Sequence, residues 1–412
     1  MPNTLLTPQI IANETLRRFR NNLGFASSIR HEYDDRFAQK GGKIGDHITL
    51  RQAVMFAAVD GAPISKQNVV EKSATLTINR HKHVAFEFPL SDLALNIDRF
   101  GERYLEAAGS ALANAVDVDL LTTAYQSTHN FVGVPGTIPT AIKSYNQAGA
   151  WLDKSSCPLD QQRYVVIGPD MQVEIVDALK ALFQSSPQIK RQYEKGRMGI
   201  AAGMNWILDQ NVRTHTTGPF GGTPAVVGAG QTGSSINTSG WSAAAASRLT
   251  KGDIIQFAGV YAVNPVSGDA YADLANWVVT EAFASDGSGL GAVQISPELI
   301  AAGPYKNCSG SPEDAALISI FSKVQADQAG IASKASPQGL AYHKDAFAWA
   351  MVPFEKPGGV DFAAVATDKD GTGFSLNIVR DFDVDAYSMV SRVDIQYGFA
   401  VPIPRFATRI VS

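Results

Sequence analysis

At 412 residues the chain is long enough for two or three structural units. Lys and Arg total 35 against 39 Asp and Glu, a net charge of −4, and charged residues reach only 18% where about 25% is usual. Its 45% hydrophobic content excludes disorder, its low charge and 36 Gly exclude a coiled coil, and its slightly acidic balance excludes a broad nucleic-acid-binding face.

Cys157 and Cys308 are too few for a disulfide framework and fit a reducing compartment. The N-terminus, Met1-Pro2-Asn3-Thr4-Leu5-Leu6, has no basic region followed by an apolar stretch, so no signal peptide is expected. No window reaches the roughly 18 consecutive apolar residues of a membrane span.

Thr7-Pro8-Gln9 predicts a helix start, with Thr at the N-cap and Pro at the first helical position. Ala12, Leu16, Phe19 and Leu23 follow at steps of four, three and four, and Gly24 closes the stretch. This single apolar stripe on a terminal arm needs a partner surface. From Lys43 the pattern changes to alternation, and a second β run covers Val69 to Phe88, where Ala74, Leu76, Ile78, Val84, Phe86 and Phe88 share one parity. Asp60-Gly61-Ala62-Pro63 between them is a turn. The spacing predicts a long hairpin whose arms reach about 40 Å. Arg80 and Lys82 interrupt the apolar parity, so the middle of the second arm is expected to project beyond its own domain.

Asp98 to Gln126 contains no Pro and carries two apolar stripes, which predicts a helix of about 45 Å. A short helix is expected near Pro139–Leu152, a buried strand at Arg163–Ile167, a helix from Met171 towards Phe183, and a strand at Met204–Leu208. Residues 214–245 then become dense in Thr, Gly, Ser and Ala. Leu249–Val260 is a compact β signature, and strands near Ala275–Phe283 and Gly291–Ile295 follow. This small all-β unit interrupts an α/β pattern that resumes with helices at Glu313–Lys323 and Lys344–Ala350. Strands at Gly339–Tyr342, Phe374–Asp383 and Arg392–Phe399 complete it.

Four constellations resemble chemical sites and fail on context. Gly228-Ala229-Gly230-Gln231-Thr232-Gly233 matches a dinucleotide fingerprint, but Ser and Thr turn residues follow it where a helix must open. His81 and His83 share a strand face without a third metal ligand nearby. Asp381, Asp383 and Asp385 lack the Gly and Glu that complete a calcium loop, and alternation with Phe382 and Val384 makes them one face of a strand. Cys157 has no His partner motif. The expectation is no catalytic residue, no metal and no cofactor.

The order of parts is amphipathic arm, long hairpin, long helix, α/β unit, β insertion and returning strands. It resembles the tailed-phage major capsid protein of the Hong Kong ninety-seven type, and within it coat proteins of the P-twenty-two type. The residues that carry the resemblance are Leu6–Glu14, Lys43-Ile44-Gly45-Asp46, Leu249–Val260, Ala341–Phe347 and Arg392–Phe399. It implies an α+β capsid fold with an N-terminal arm at 1–42, an extended hairpin at 43–90 and a peripheral domain with a spine helix at 91–160. An axial domain at 161–217 and 304–412 then surrounds an inserted β-domain at 218–303. It also implies a virion shell subunit, not an enzyme, assembled in the bacterial cytoplasm into pentamers and hexamers around double-stranded DNA. The implied partners are copies of itself, a scaffolding protein, a portal protein and in some shells a decoration protein. An encapsulin-like cargo shell is the alternative on the same fold, and a surface adhesin is disfavoured by the lack of a signal peptide.

Apolar faces that the chain cannot cover itself are expected to meet neighbouring subunits. The interface candidates are Leu16, Phe19 and Leu23 on the arm and Lys66, Arg80, His81, Lys82 and His83 on the hairpin. Some relatives crosslink a hairpin Lys to an Asn of a neighbour; Lys66 and Lys72 are available, but no matching motif is present and no crosslink is expected. Leu249, Gly252, Asp253, Phe257 and Gly259 are expected to form the core and a tight turn of the insertion, with the Asp253 carboxylate satisfying local backbone donors.

Overall fold

A computed structural model describes residues 8–32, 47–52, 54–56, 71–89, 100–179, 199–321, 331–355, 357–367, 374–385 and 388–412. The chain divides into two compact units. The first comprises residues 1–51, 73–120 and 347–402, and the second comprises 52–72, 121–346 and 403–412.

The hub of the first unit is the strand Ser388–Ala400. It pairs antiparallel with Ser73–Pro89 over residues 388–398, with Ser375–Asp383 over 388–394, and with Ala348–Met351 over 397–400. Val393, Ile395 and Tyr397 bury one apolar face, while Asp394 and Gln396 are buried on the opposite parity. A strand covered on both faces can sit only inside a sheet. Gly398 marks a register shift against the hairpin arm, where a Cβ would lie 2.3 Å from the Thr77 carbonyl oxygen.

The expectation that the middle of the second arm, at Arg80 and Lys82, projects beyond its own domain is corrected by this pairing. Ser73–Pro89 lies in the sheet along its length, and only its first residues pair with His47–Arg51. Ile48, Leu50, Leu76 and Ile78 join Ala348, Ala350 and Val352 in a local core. The turn at residues 60–63 and Lys66 lie outside the described residues.

The arm helix, Pro8–Asn22, packs on the strands Phe362–Thr367 and Ser375–Asp383. Ala12, Leu16, Phe19 and Leu23 are buried, Phe19 completely. This corrects the expectation that Leu16, Phe19 and Leu23 meet a neighbouring subunit, because the partner surface is supplied by strands more than 330 residues later in the same chain. Beyond the helix, Phe25 packs on Phe347 at 5.8 Å between ring centroids. His31 is stacked on Phe374 at 4.5 Å and stands edge-on to Trp349 at 5.0 Å.

Among the described residues the second unit holds two two-stranded sheets and two large ones. One runs in the order Asn130–Gly133, Ala407–Val411, Ala335–His343, Arg163–Ile167, Met204–Leu208 and Ile200–Ala201, with Thr214–Thr216 also paired to Ala335–His343. The helix Ile142–Lys154 packs against it through buried Tyr145, Ala148 and Leu152. The long helix, Phe100–Ser127, passes from the first unit to the second after Leu120. The segment 91–160 therefore spans both units, since the strand Asn130–Gly133 joins this sheet and the helix Ile142–Lys154 packs on it.

The second sheet has six strands, ordered Ile318–Ile320, Ile254–Phe257, Trp277–Val279, Gly291–Leu299, Gly233–Trp241 and Gly222–Val226. Three expectations fail here. The insertion does not end at 303, and residues 318–320 of the expected helix at 313–323 form a strand, because Ile318 and Ile320 are buried against Ile254–Phe257. Residues 233–241 are also a strand where turn chemistry was expected, and the glycine-rich stretch before them is a hairpin turn held by Gln231, which donates to the Val227 carbonyl at 2.5 Å. The expected helix at 344–350 is one 3₁₀ turn, Lys344–Ala346, followed by the strand Ala348–Met351.

Two outcomes test the first unit. Phe19→Ala should cost about 3–5 kcal/mol in urea unfolding of the full chain, and removing residues 1–23 should destabilise the subunit instead of leaving it intact. Burial pushes the His31 imidazole down from 6.5 to about 4. Above pH 6.5 the ring is neutral in folded and unfolded chains alike; between 6.5 and about 4 only the unfolded chain takes up the proton. Stability should therefore fall on acidification through that window by on the order of 3 kcal/mol, and His31→Phe should flatten this limb of the pH–stability curve.

Candidate functional site

The strongest concentration of buried polar chemistry lies where the six-stranded sheet joins its parent sheet in the second unit. The chain enters the insertion at Thr217-Gly218 and returns at Ile331–Lys334, and the two crossings are bonded together. Thr217 N–H donates to the Lys334 carbonyl at 3.0 Å, Ser333 N–H to the Gly218 carbonyl at 3.1 Å, and the Thr217 hydroxyl to the Ile331 carbonyl at 2.5 Å.

The Gly252-Asp253 turn faces this crossing. Gly252 adopts φ +98°, a left-handed conformation that favours glycine, and a Cβ there would press on Tyr125, Gln126 and His215 at 3.4 Å. Asp253 has no solvent exposure. Its Oδ2 accepts from Thr250 N–H at 2.7 Å and Gly218 N–H at 3.1 Å, and its Oδ1 accepts from His215 Nε2 at 2.9 Å. Burial lowers the His215 pKa, with the Asp253 hydrogen bond opposing it, so a neutral imidazole donates here.

Arg409, on the last strand, closes the junction and is also fully buried. Its Nη1 donates to the Gly252 carbonyl at 2.5 Å, and its Nε and Nη2 donate to Gln338 Oε1 at 2.9 and 2.6 Å. Tyr125 and Phe321 flank the guanidinium, each ring centroid 5.3 Å from Cζ. Burial pulls its pKa down to about 10, which leaves it charged at neutral pH. Leu249 and Phe257 are buried in the adjacent core. Gly259, at φ +79°, stands in open space at a turn.

In the first unit, Asp117 of the long helix holds the end of the arm. Its two carboxylate oxygens accept from Gly24 N–H at 2.6 Å and Ala26 N–H at 2.8 Å, while Trp349 Nε1 donates to the Ala26 carbonyl at 3.1 Å. Asp119, two residues on, accepts from Arg80 at 2.9 Å and from the Tyr397 hydroxyl at 2.7 Å. Arg80 thus interrupts the apolar parity of its strand because it reaches a carboxylate of its own unit. His81 contacts Asp394 at 2.7 Å, and Arg392 Nε lies 2.9 Å from both oxygens of the same carboxylate. Lys82 is half-buried and His83 exposed.

Among the described residues no group of three His, Cys, Asp or Glu could hold a metal ion. Asp381 and Asp383 end a strand, and Asp385 N–H donates back to Asp383 at 2.9 Å in the turn beyond. Both cysteines are buried, and burial pushes each thiol up to about 11. These features build a scaffold, and every buried charge at the two junctions is matched to a structural partner.

A family model described as "P22 coat protein - gene protein 5" matches residues 3–408. The chain belongs to the P22 coat protein family. It is a major capsid protein of a tailed bacteriophage, with the α+β capsid fold, and it assembles with copies of itself into the shell of the virion. Family membership favours this reading over an encapsulin-like cargo shell. Among solved structures it is similar to one from Mycobacterium phage Che8 at 13% identity, covering 94% of this chain and 90% of that one, with a TM-score of 0.46. The capsid of cyanophage P-SCSP1u is similar at 11% identity over 94% and 86% of the two chains, with a TM-score of 0.44. The mature capsid of bacteriophage PhiM1 is similar at 10% identity over 95% and 86%, with a TM-score of 0.44. No curated protein matches.

Sequence reasoning found the Asp253 turn and missed Arg409, Gln338, His215 and Asp117. One signal was available for Arg409, a lone cation in the apolar run Ala407–Val411. Asp253→Ala in this coat protein leaves two backbone N–H groups and His215 unmatched, so the melting temperature of the full chain should drop by an amount equivalent to about 3 kcal/mol. Asp253→Asn, which keeps acceptor oxygen, should lose less.

Proposed function

We propose that this coat protein forms the pentamers and hexamers of an icosahedral procapsid together with a scaffolding protein and a portal protein, in the cytoplasm of a bacterial host, and that it catalyses no reaction. The observation that carries the reading is the extent of the family match, residues 3–408, which takes in nearly all of both units. The composition supports it. A charge fraction of 18% suits surfaces that meet copies of themselves, and a net charge of −4 suits a wall that confines packaged DNA without gripping it.

Within such a shell, the inserted six-stranded unit would brace the folding subunit and meet its neighbours. Lys66, together with Lys82 and His83 on opposite faces of the second hairpin arm, are the remaining candidates for contact between subunits. Electron microscopy of the purified chain, concentrated alone and with the scaffolding protein of its phage, tests the reading. Closed shells of pentamers and hexamers, more uniform in diameter with the scaffold, are expected. A protein that stays monomeric in both preparations, or a shell that fills with a cargo enzyme, would overturn it.

A further inference from the structure

We propose that a cavity of about 100 Å³ in the second unit is a binding site for a small oxyanion, held by Arg405 and Lys306. Three charged side chains line this cavity, Lys154, Lys306 and Arg405, and no carboxylate does. Lys154 is neutralised by Asp273, 2.5 Å away, and Lys306 Nζ donates to the Gly268 carbonyl at 3.2 Å. Arg405 has no such match. Among the described residues no carboxylate lies within ion-pair distance of it, and its Nη1 meets only the weak thioether acceptor of Met55, at 3.4 Å.

The residues that line it also carry buried polar atoms without a partner. Arg405 Nε, Trp277 Nε1 and His129 Nδ1 are buried without a hydrogen-bond partner. Trp277 is 1% exposed and His129 8% exposed, so bulk solvent cannot satisfy them. Burial also lowers the Arg405 pKa, which is the mark of a guanidinium whose lost hydration has not been replaced. Buried donors without acceptors are rare because they are costly. Two cations not paired to carboxylate, Arg405 and Lys306, line one small cavity that no carboxylate lines, and acceptor oxygens are what they lack. A tetrahedral oxyanion supplies several of them at hydrogen-bond spacing, and it matches the donor fork of arginine. A neutral ligand would leave the charge uncompensated.

Inorganic phosphate is the probe. Titrated calorimetrically into the full-length protein, it should bind saturably at one site per chain, and it should raise the melting temperature above that in chloride of equal ionic strength. Arg405→Gln should weaken binding by about tenfold or more, and Arg405→Lys should retain part of it. Lys306→Gln, at a half-exposed position, should weaken binding several-fold and keeps the test decisive if Arg405→Gln does not fold. Absence of phosphate binding beyond the chloride control, or affinity unchanged in a folded Arg405→Gln, overturns the proposal. If only Lys306→Gln folds, unchanged affinity in that variant overturns it equally.

Discussion

Arg409 is a full positive charge with no access to water, and the second unit is arranged around the need to satisfy it. The cost of stripping water from a guanidinium is large unless hydrogen bonds and nearby charge replace the hydration. Here Gln338 and the Gly252 carbonyl take its donors, and two aromatic faces cover the planar group. Because Gln338 belongs to the parent sheet and Gly252 to the insertion, satisfying one side chain fixes the inserted unit to its base. Asp253 and His215 repeat the device on the other side of the same turn. The insertion is therefore seated by directional hydrogen bonds in addition to the apolar core that Val411 shares with it.

The first unit applies the same rule at smaller scale. Asp117 places two carboxylate oxygens against the Gly24 and Ala26 amides, groups beyond the end of the arm helix that have no partner in that helix. Once those are tied, Phe25 reaches Phe347 and Trp349 reaches the Ala26 carbonyl. The apolar stripe of this coat protein's arm is thus an integral part of the subunit core over its described residues. Low surface charge keeps its meaning under this correction, since it describes what solvent or a neighbouring copy meets, whereas the arm stripe is hidden from both.

Much of the fold was legible in the chain. The helix at 100–127, the strand at 163–167 and the strand at 388–400 follow from periodicity, and the Gly252-Asp253 turn from local turn chemistry. The misreadings share a cause. Ile318–Ile320 was taken into a helix because three apolar-rich residues fit either period, and only pairing with Ile254–Phe257 decides between them. Arg80 was placed outside its domain because its ion partner, Asp119, sits on another element.

By itself, then, the sequence determined the long periodic helix and the strongly patterned strands, where the tight turn falls, and the order of parts that marks a coat protein. Those properties depend on neighbours within a few residues. Tertiary structure alone decided what covers Phe19, which groups receive the donors of Arg409, and where the insertion ends. Each of those depends on segments brought together from tens to hundreds of residues apart, and a buried charge or ring accepts any partner of suitable chemistry until the topology selects one.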